Sequence, residues 1–133
     1  MPLNGLSISD AATSISVTGG TAKSFTITSV TVPNGINVAD FSESDFRIRR
    51  HITFRNRNPV KLATGKFTKA KRSIVFTTPF LNADGETEYI TDRWESEQPV
   101  TATAAALANH RKNFCQLMFD ADVESFHTGG AIA

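Results

Sequence analysis

"DFRIRRHITFRNRNPVK", Asp45 to Lys61, carries arginine at five positions while hydrophobic residues recur at nearly every second place. Alternation of this kind is the period of a β-strand, whose side chains point to opposite faces in turn. The even positions Phe46, Ile48, Ile52 and Phe54 predict an apolar face, interrupted by Arg50, whose aliphatic stem suits an edge. The odd positions Arg47, Arg49, His51, Thr53, Arg55 and Arg57 predict a basic face. Asn58-Pro59 ends the strand or opens a turn, because proline brings no N–H to a ladder.

The charge of this stretch is part of a larger block. From Phe46 to Ala83 the chain has ten Lys or Arg residues and no Asp or Glu, whereas the other 95 positions hold four basic residues and all thirteen acids. The net charge of +1 conceals this segregation. Scattered charge usually means only a solvated surface. A single-sign block in strand-patterned sequence points instead to a polyanion, and arginine favours bidentate phosphate contact.

Working outward, "TSISVT" (13–18) and "KSFTITSVTV" (23–32) alternate on either side of Gly19-Gly20 and predict an N-terminal β-hairpin over 13–32. Pro33 to Gly35 marks a turn, and "INVADFS" a short strand. A strand over about 66–80 follows, with Ile74, Phe76 and Phe80 on one parity and Lys69, Lys71, Ser73, Val75 and Thr77 on the other. "NADGE" is a turn, and "TEYITDRWESEQ" the last strand. After Pro99 the alanine-rich texture predicts a helix capped by Thr101 or Thr103, with Ala104, Leu107, Phe114, Leu117, Met118 and Ala121 on one stripe. A second helix runs from about Asp120 to Phe126 and ends at Gly129-Gly130. Roughly six strands and then two helices give one α+β domain over 1–133, its sheet at 36–98 and its helices at 100–127 packed on one sheet face. The opposite face, with Arg47, Arg49, His51, Arg55, Lys69 and Lys71, stays open for a phosphate backbone.

Other chemistries find little support. His110, Cys115 and His127 are too far apart for a usual zinc signature, so no metal or cofactor is expected, and Cys115 is read as a buried core thiol. His51 has no close carboxylate neighbour in sequence, and no phosphate loop, nucleophile elbow or paired carboxylates occur, so an enzyme is not expected. The apolar runs are too short to span a membrane, the N-terminus lacks the pattern of a signal peptide, and a lone cysteine fits a reducing compartment. Val123, Phe126 and the "GGAIA" tail are generous for a small monomer, which leaves the helices covering either their own sheet or a second subunit.

Taken in order, these segments resemble the coat proteins of single-stranded RNA bacteriophages over nearly the whole chain. "TSISVTGGTAKSFTI" is similar to that family's N-terminal hairpin, and "PNGINVADFS" to the turn and strand after it. "FRIRRHITFRNRNP" and "KRSIVFTTP" resemble the two long central strands, "EYITDRW" the last strand, and "LMFDADVESFHTGGAI" the C-terminal helical segment. The resemblance implies an interlocked homodimer whose helices cover the partner's sheet, here through Leu107, Phe114, Leu117, Met118 and Phe126. It implies an icosahedral virion shell, assembled in the bacterial cytoplasm, whose inner sheet face meets genomic RNA. It also implies binding of an RNA hairpin as translational repressor. Arg47, Arg49, His51 and Thr53 match the inward row of the first long strand, and Ser73 and Val75 positions of the second. Val75 departs from the polar or basic type there, for which Lys69 and Lys71 are candidate substitutes. Glu97 stands where well-studied members place a base-stacking tyrosine, and the "LNADGE" loop is short. The alternative from another class is an RNA-binding regulatory module that never assembles.

Overall fold

Turn chemistry and strand alternation place five strands side by side in the order of the chain. The structure, a computed structural model, describes Leu3 and residues 6–130. It divides into two compact units, residues 20–101 and, separately, the segment up to Gly19 with the segment from Ala102.

In the first unit, β1 (Thr26–Ile27), β2 (Gly35–Ala39), β3 (His51–Arg57), β4 (Ala70–Leu81) and β5 (Thr87–Gln98) form one antiparallel meander. The β4–β5 turn follows from its side chains. Asn82 Oδ1 accepts from the backbone N–H groups of Asp84 and Glu86, and Gly85 takes the left-handed backbone (φ 79°) that the turn requires. Leu81 and Thr87 close the hairpin, and that pair sets the register of both twelve-residue strands. Gly35 has a different reason. A Cβ there would lie 1.9 Å from the carbonyl oxygen of Phe54, so only glycine lets β2 approach β3.

Two strand expectations are corrected. Residues 13–18 form no strand, and the second arm of the expected hairpin contributes only Thr26–Ile27, so among the described residues five strands form rather than six. Gly19 and Gly20 do turn the chain, with φ of 79° and 72°, but the arms beside them form no ladder. The long first strand also starts late, at His51, because Phe46–Ile48 is a 3-10 turn. Asp45 caps it: its carboxylate accepts from the Arg47 backbone N–H at 3.0 Å. Such local capping competes with strand pairing, and here it prevails over alternation.

In the second unit, α1 (Ala104–Phe119) starts at Thr103, whose hydroxyl accepts from the Ala106 N–H. Asp120 ends α1 and caps α2 (Ala121–Gly129), and Gly130 closes α2 in the left-handed conformation. A polar row on α1 at Asn109, Lys112, Asn113 and Gln116 has helical same-face spacing and holds residues 9–13. Gln116 exchanges two hydrogen bonds with the Ser9 backbone. Both Asn109 and Asn113 donate to the Asp10 carboxylate at 2.9 Å, and the Lys112 ammonium donates to the carbonyls of Ala12 and Thr13. Cys115, expected in a core, is exposed. Among the described residues only Ala39, Ala70 and Val123 are buried hydrophobics of the core, and no large side chain is fully buried. The last residues of the apolar tail, 131–133, lie outside the described residues.

Candidate nucleic-acid interface

Residues paired across neighbouring strands share a face, so the register assigns every side chain of the sheet. One face reads Ile36–Phe54–Ile74–Trp94 across β2 to β5, with Val38–Ile52–Phe76 beside it. It is apolar across its centre, where Phe54 and Phe76 are each 37% exposed, while on β5 Asp92 stands across from Phe76 and Glu88 across from Phe80. Arg72 interrupts it near one end, its guanidinium donating to the carbonyls of Arg57 and Lys71.

The opposite face consists of four polar rungs across β3, β4 and β5: His51–Thr77–Thr91, Thr53–Val75–Arg93, Arg55–Ser73–Glu95 and Arg57–Lys71–Glu97. Ala39, Asn37 and Gly35 of β2 extend the first three. Asn37 is the buried hub of one end. Its amide donates to Thr53 Oγ1 at 2.9 Å, its oxygen accepts from Thr28 Oγ1 at 2.9 Å, and the same oxygen lies 3.2 Å from His51 Nδ1. A satisfied buried amide of this kind fixes the side chains around it.

The five arginines of the opening stretch have separate fates. Arg55 and Arg57 stand exposed on the polar face as expected. Arg47 turns back on Asp45 in an ion pair at 2.9 Å, which holds the Asp45 carboxyl below its ordinary range chiefly through the Arg47 hydrogen bonds. Arg49 donates to the Glu43 carbonyl and stacks over Phe41, 4.7 Å from the ring centre. Arg50 lines a groove of about 380 Å³ with Lys23 and Asp40. The Asp40 carboxyl is held low first by the Ser42 hydroxyl and less by the Lys23 and Arg50 charges. Arg47 and Arg49 therefore do not share the inward row with His51 and Thr53, because neither lies on a strand.

From the second long strand, Lys71 and Ser73 reach the polar face, while Lys69 sits exposed just before β4. Lys71 meets two carboxylates, Glu97 at 3.2 Å and Glu95 at 3.5 Å. These raise its pKa, the Glu97 hydrogen bond contributing most. Arg93 was not among the expected residues, yet it stands directly across from Val75 on the same face. The "NADGE" turn was the available signal: once Leu81 pairs with Thr87, counting back along both strands brings 75 to 93.

Among the described residues no three His, Cys, Asp or Glu side chains come together as a metal site. Of the residues expected at a subunit interface, Leu107, Phe114 and Leu117 are half-buried, and Met118 and Phe126 are exposed.

No protein-family profile and no curated protein matches the chain. Solved structures do. A virus-like particle of bacteriophage GQ-907 contains a chain that is 38% identical, with a TM-score of 0.90 over 98% of this chain and 99% of that one. A virus-like particle of bacteriophage AVE019 shares the fold at a TM-score of 0.68 with 13% identity, over 96% and 99% of the two chains. The antiparallel sheet followed by two helices, at this similarity, defines a capsid protein, a component of the virion. The chain belongs to the coat proteins of single-stranded RNA bacteriophages.

Proposed function

We propose that this capsid subunit forms a homodimer, that dimers close into an icosahedral shell, and that the polar sheet face lines the inside and binds single-stranded genomic RNA. The observation that carries the reading is the division of one sheet into an apolar face and a face bearing Arg55, Arg57, Lys71 and Arg93 beside His51, Thr53 and Ser73. Cations on a strand surface neutralise phosphate, and the polar hydroxyls add sequence-tolerant contacts. Hairpin binding, and with it translational repression, falls to the same face.

The dimer is supported by what the protomer leaves uncovered. Ordering each residue costs about 1–2 kcal/mol of backbone entropy, and a buried large apolar side chain returns about 1.5–3 kcal/mol. A chain with no large side chain fully buried among its described residues needs a partner to meet that cost. A second copy is the occupant in this reading. β5 is an edge strand of twelve residues without proline, a template for pairing with its two-fold mate. Leu107, Phe114, Leu117, Met118 and Phe126 supply the apolar surface the helices bring to that dimer, so that the two units act as one coat-protein domain. Assembly in the bacterial cytoplasm, where genomic RNA is made, completes the proposal.

The test is electron microscopy and absorbance of particles formed by the chain expressed alone. Closed particles whose RNA content drops in an Arg55→Ala/Arg57→Ala/Arg93→Ala variant are expected. Unchanged RNA per particle overturns the inner-face reading, and a soluble dimer at every concentration overturns the shell in favour of a regulatory RNA-binding module.

A further inference from the structure

The polar face carries a local contradiction. Four cations, Arg55, Arg57, Lys71 and Arg93, share it with two acids, Glu95 and Glu97, at one end. The acids do not lie idle beside the cations. Register sets Glu97 directly across from Lys71, and Glu95 is its diagonal neighbour through Ser73, so both oxygens converge on one ammonium at 3.2 and 3.5 Å.

We propose that Glu95 and Glu97 are specificity-determining residues that withhold Lys71 from RNA phosphate and so end the RNA footprint at the Arg57–Lys71–Glu97 rung. The inference rests on the polar face being the RNA face. Its chemistry is simple. A phosphate approaching Lys71 must displace two carboxylates that already satisfy it, and it meets their repulsion at the same time. The three groups are each a third or more exposed, with side-chain exposures of 35%, 56% and 48% for Lys71, Glu95 and Glu97. The cluster therefore adds little to folding, as exposed ion pairs do, and its consequence is electrostatic selection. Residual charge is then concentrated on Arg55, Arg57 and Arg93, whose planar guanidinium groups suit bidentate phosphate contact better than a point-charge ammonium. The device lowers affinity for arbitrary RNA at one end of the face and leaves the polar hub of Thr28, Asn37, His51 and Thr53 at the other end free of acidic neighbours from β5.

The experiment is a double-mutant cycle between Lys71→Gln and Glu95→Gln/Glu97→Gln, with full-length protein and a labelled 20-nucleotide oligouridylate. Affinity is read by anisotropy across salt concentrations on disassembled, RNA-free protein, whose sheet face is open to the oligonucleotide, and light scattering after reassembly checks that each variant still forms particles. Each phosphate contact on a single strand adds about 0.7 to the salt slope, or about fivefold in affinity between 1 M and 0.1 M salt. Lys71→Gln alone is expected to leave the slope unchanged, Glu95→Gln/Glu97→Gln to steepen it by about 0.7, and Lys71→Gln in that background to abolish the gain. A slope that falls on Lys71→Gln alone overturns the proposal, since Lys71 then already holds phosphate. So does a Glu95→Gln/Glu97→Gln variant with the parent slope, or a gain that survives loss of Lys71. Arg55→Gln/Arg57→Gln is the separate control: an unchanged slope there refutes the RNA-face reading itself, whatever the cycle gives.

Discussion

Asn37 offers the sharpest test of how the polar face is held together. Its side chain makes two hydrogen bonds, to Thr53 and Thr28, and contacts His51, while the residue is 7% exposed. Asn37→Ala removes all three contacts and leaves two hydroxyls and an imidazole facing a small void. A typical intramolecular hydrogen bond contributes about 0.5–1.5 kcal/mol net, and partners left unsatisfied raise the cost. Thr28, His51 and Thr53 are half-buried, so water recovers part of the loss, and a total of about 2 kcal/mol is expected. With a urea dependence of about 1–3 kcal/mol per molar, this corresponds to a midpoint lower by roughly 1 M. The assay is urea unfolding followed by tryptophan fluorescence, at one protein concentration because association is linked to folding. Thr53→Val should cost clearly less once Asn37 is alanine than in the parent, which marks a shared network. Equal costs in both backgrounds, or a midpoint unmoved by Asn37→Ala, refute the hub.

Gly35→Ala places a Cβ against the Phe54 carbonyl, and a loss of about 1–3 kcal/mol is expected in the same unfolding assay; parent-like stability would mean that β2 shifts freely. Phe114→Ala should abolish the dimer on size-exclusion chromatography, since truncating a phenylalanine buried in an interface costs about 3–5 kcal/mol, and an unchanged dimer would place Phe114 outside it. The Asp10 carboxyl should titrate below its ordinary value of 3.8, because Asn113, Asn109 and the Ala11 N–H all donate to the charged form. A depressed folded pKa means that this attachment is fully present above the unfolded value and is lost as pH falls through the folded one. Carbon-detected titration should show that order, and Asn113→Ala should move the midpoint back up; a midpoint that does not move would remove Asn113 from the cause.

Much of the architecture was legible because its causes are local. Thr103 caps α1, Gly130 ends α2, the Asn82–Glu86 turn forms from its own side chains, and the last strand occupies Thr87–Gln98, the stretch that follows that turn. Alternation failed where a local competitor was stronger: the Asp45 carboxylate bonds the Arg47 N–H and guanidinium and winds Phe46–Ile48 into a turn. It failed again at 13–18, where a strand pattern lies without a partner strand to pair with. Cys115 was misread because a buried thiol needs a covered helix face, and coverage depends on packing that periodicity does not contain.

The amino-acid sequence alone establishes that ten cations lie in one acid-free block and that Arg55 and Arg57 share their strand parity with His51 and Thr53. Which charges share a surface was decided only by tertiary structure. The closing pair Leu81–Thr87 carries Arg93 across from Val75 and brings Glu95 and Glu97 up to Lys71, so acids that stand outside the block in sequence lie on its face in space. The physical reason is register. Strand period assigns a residue to a face from its neighbours alone, but its companions on that face are set by how the strands are paired.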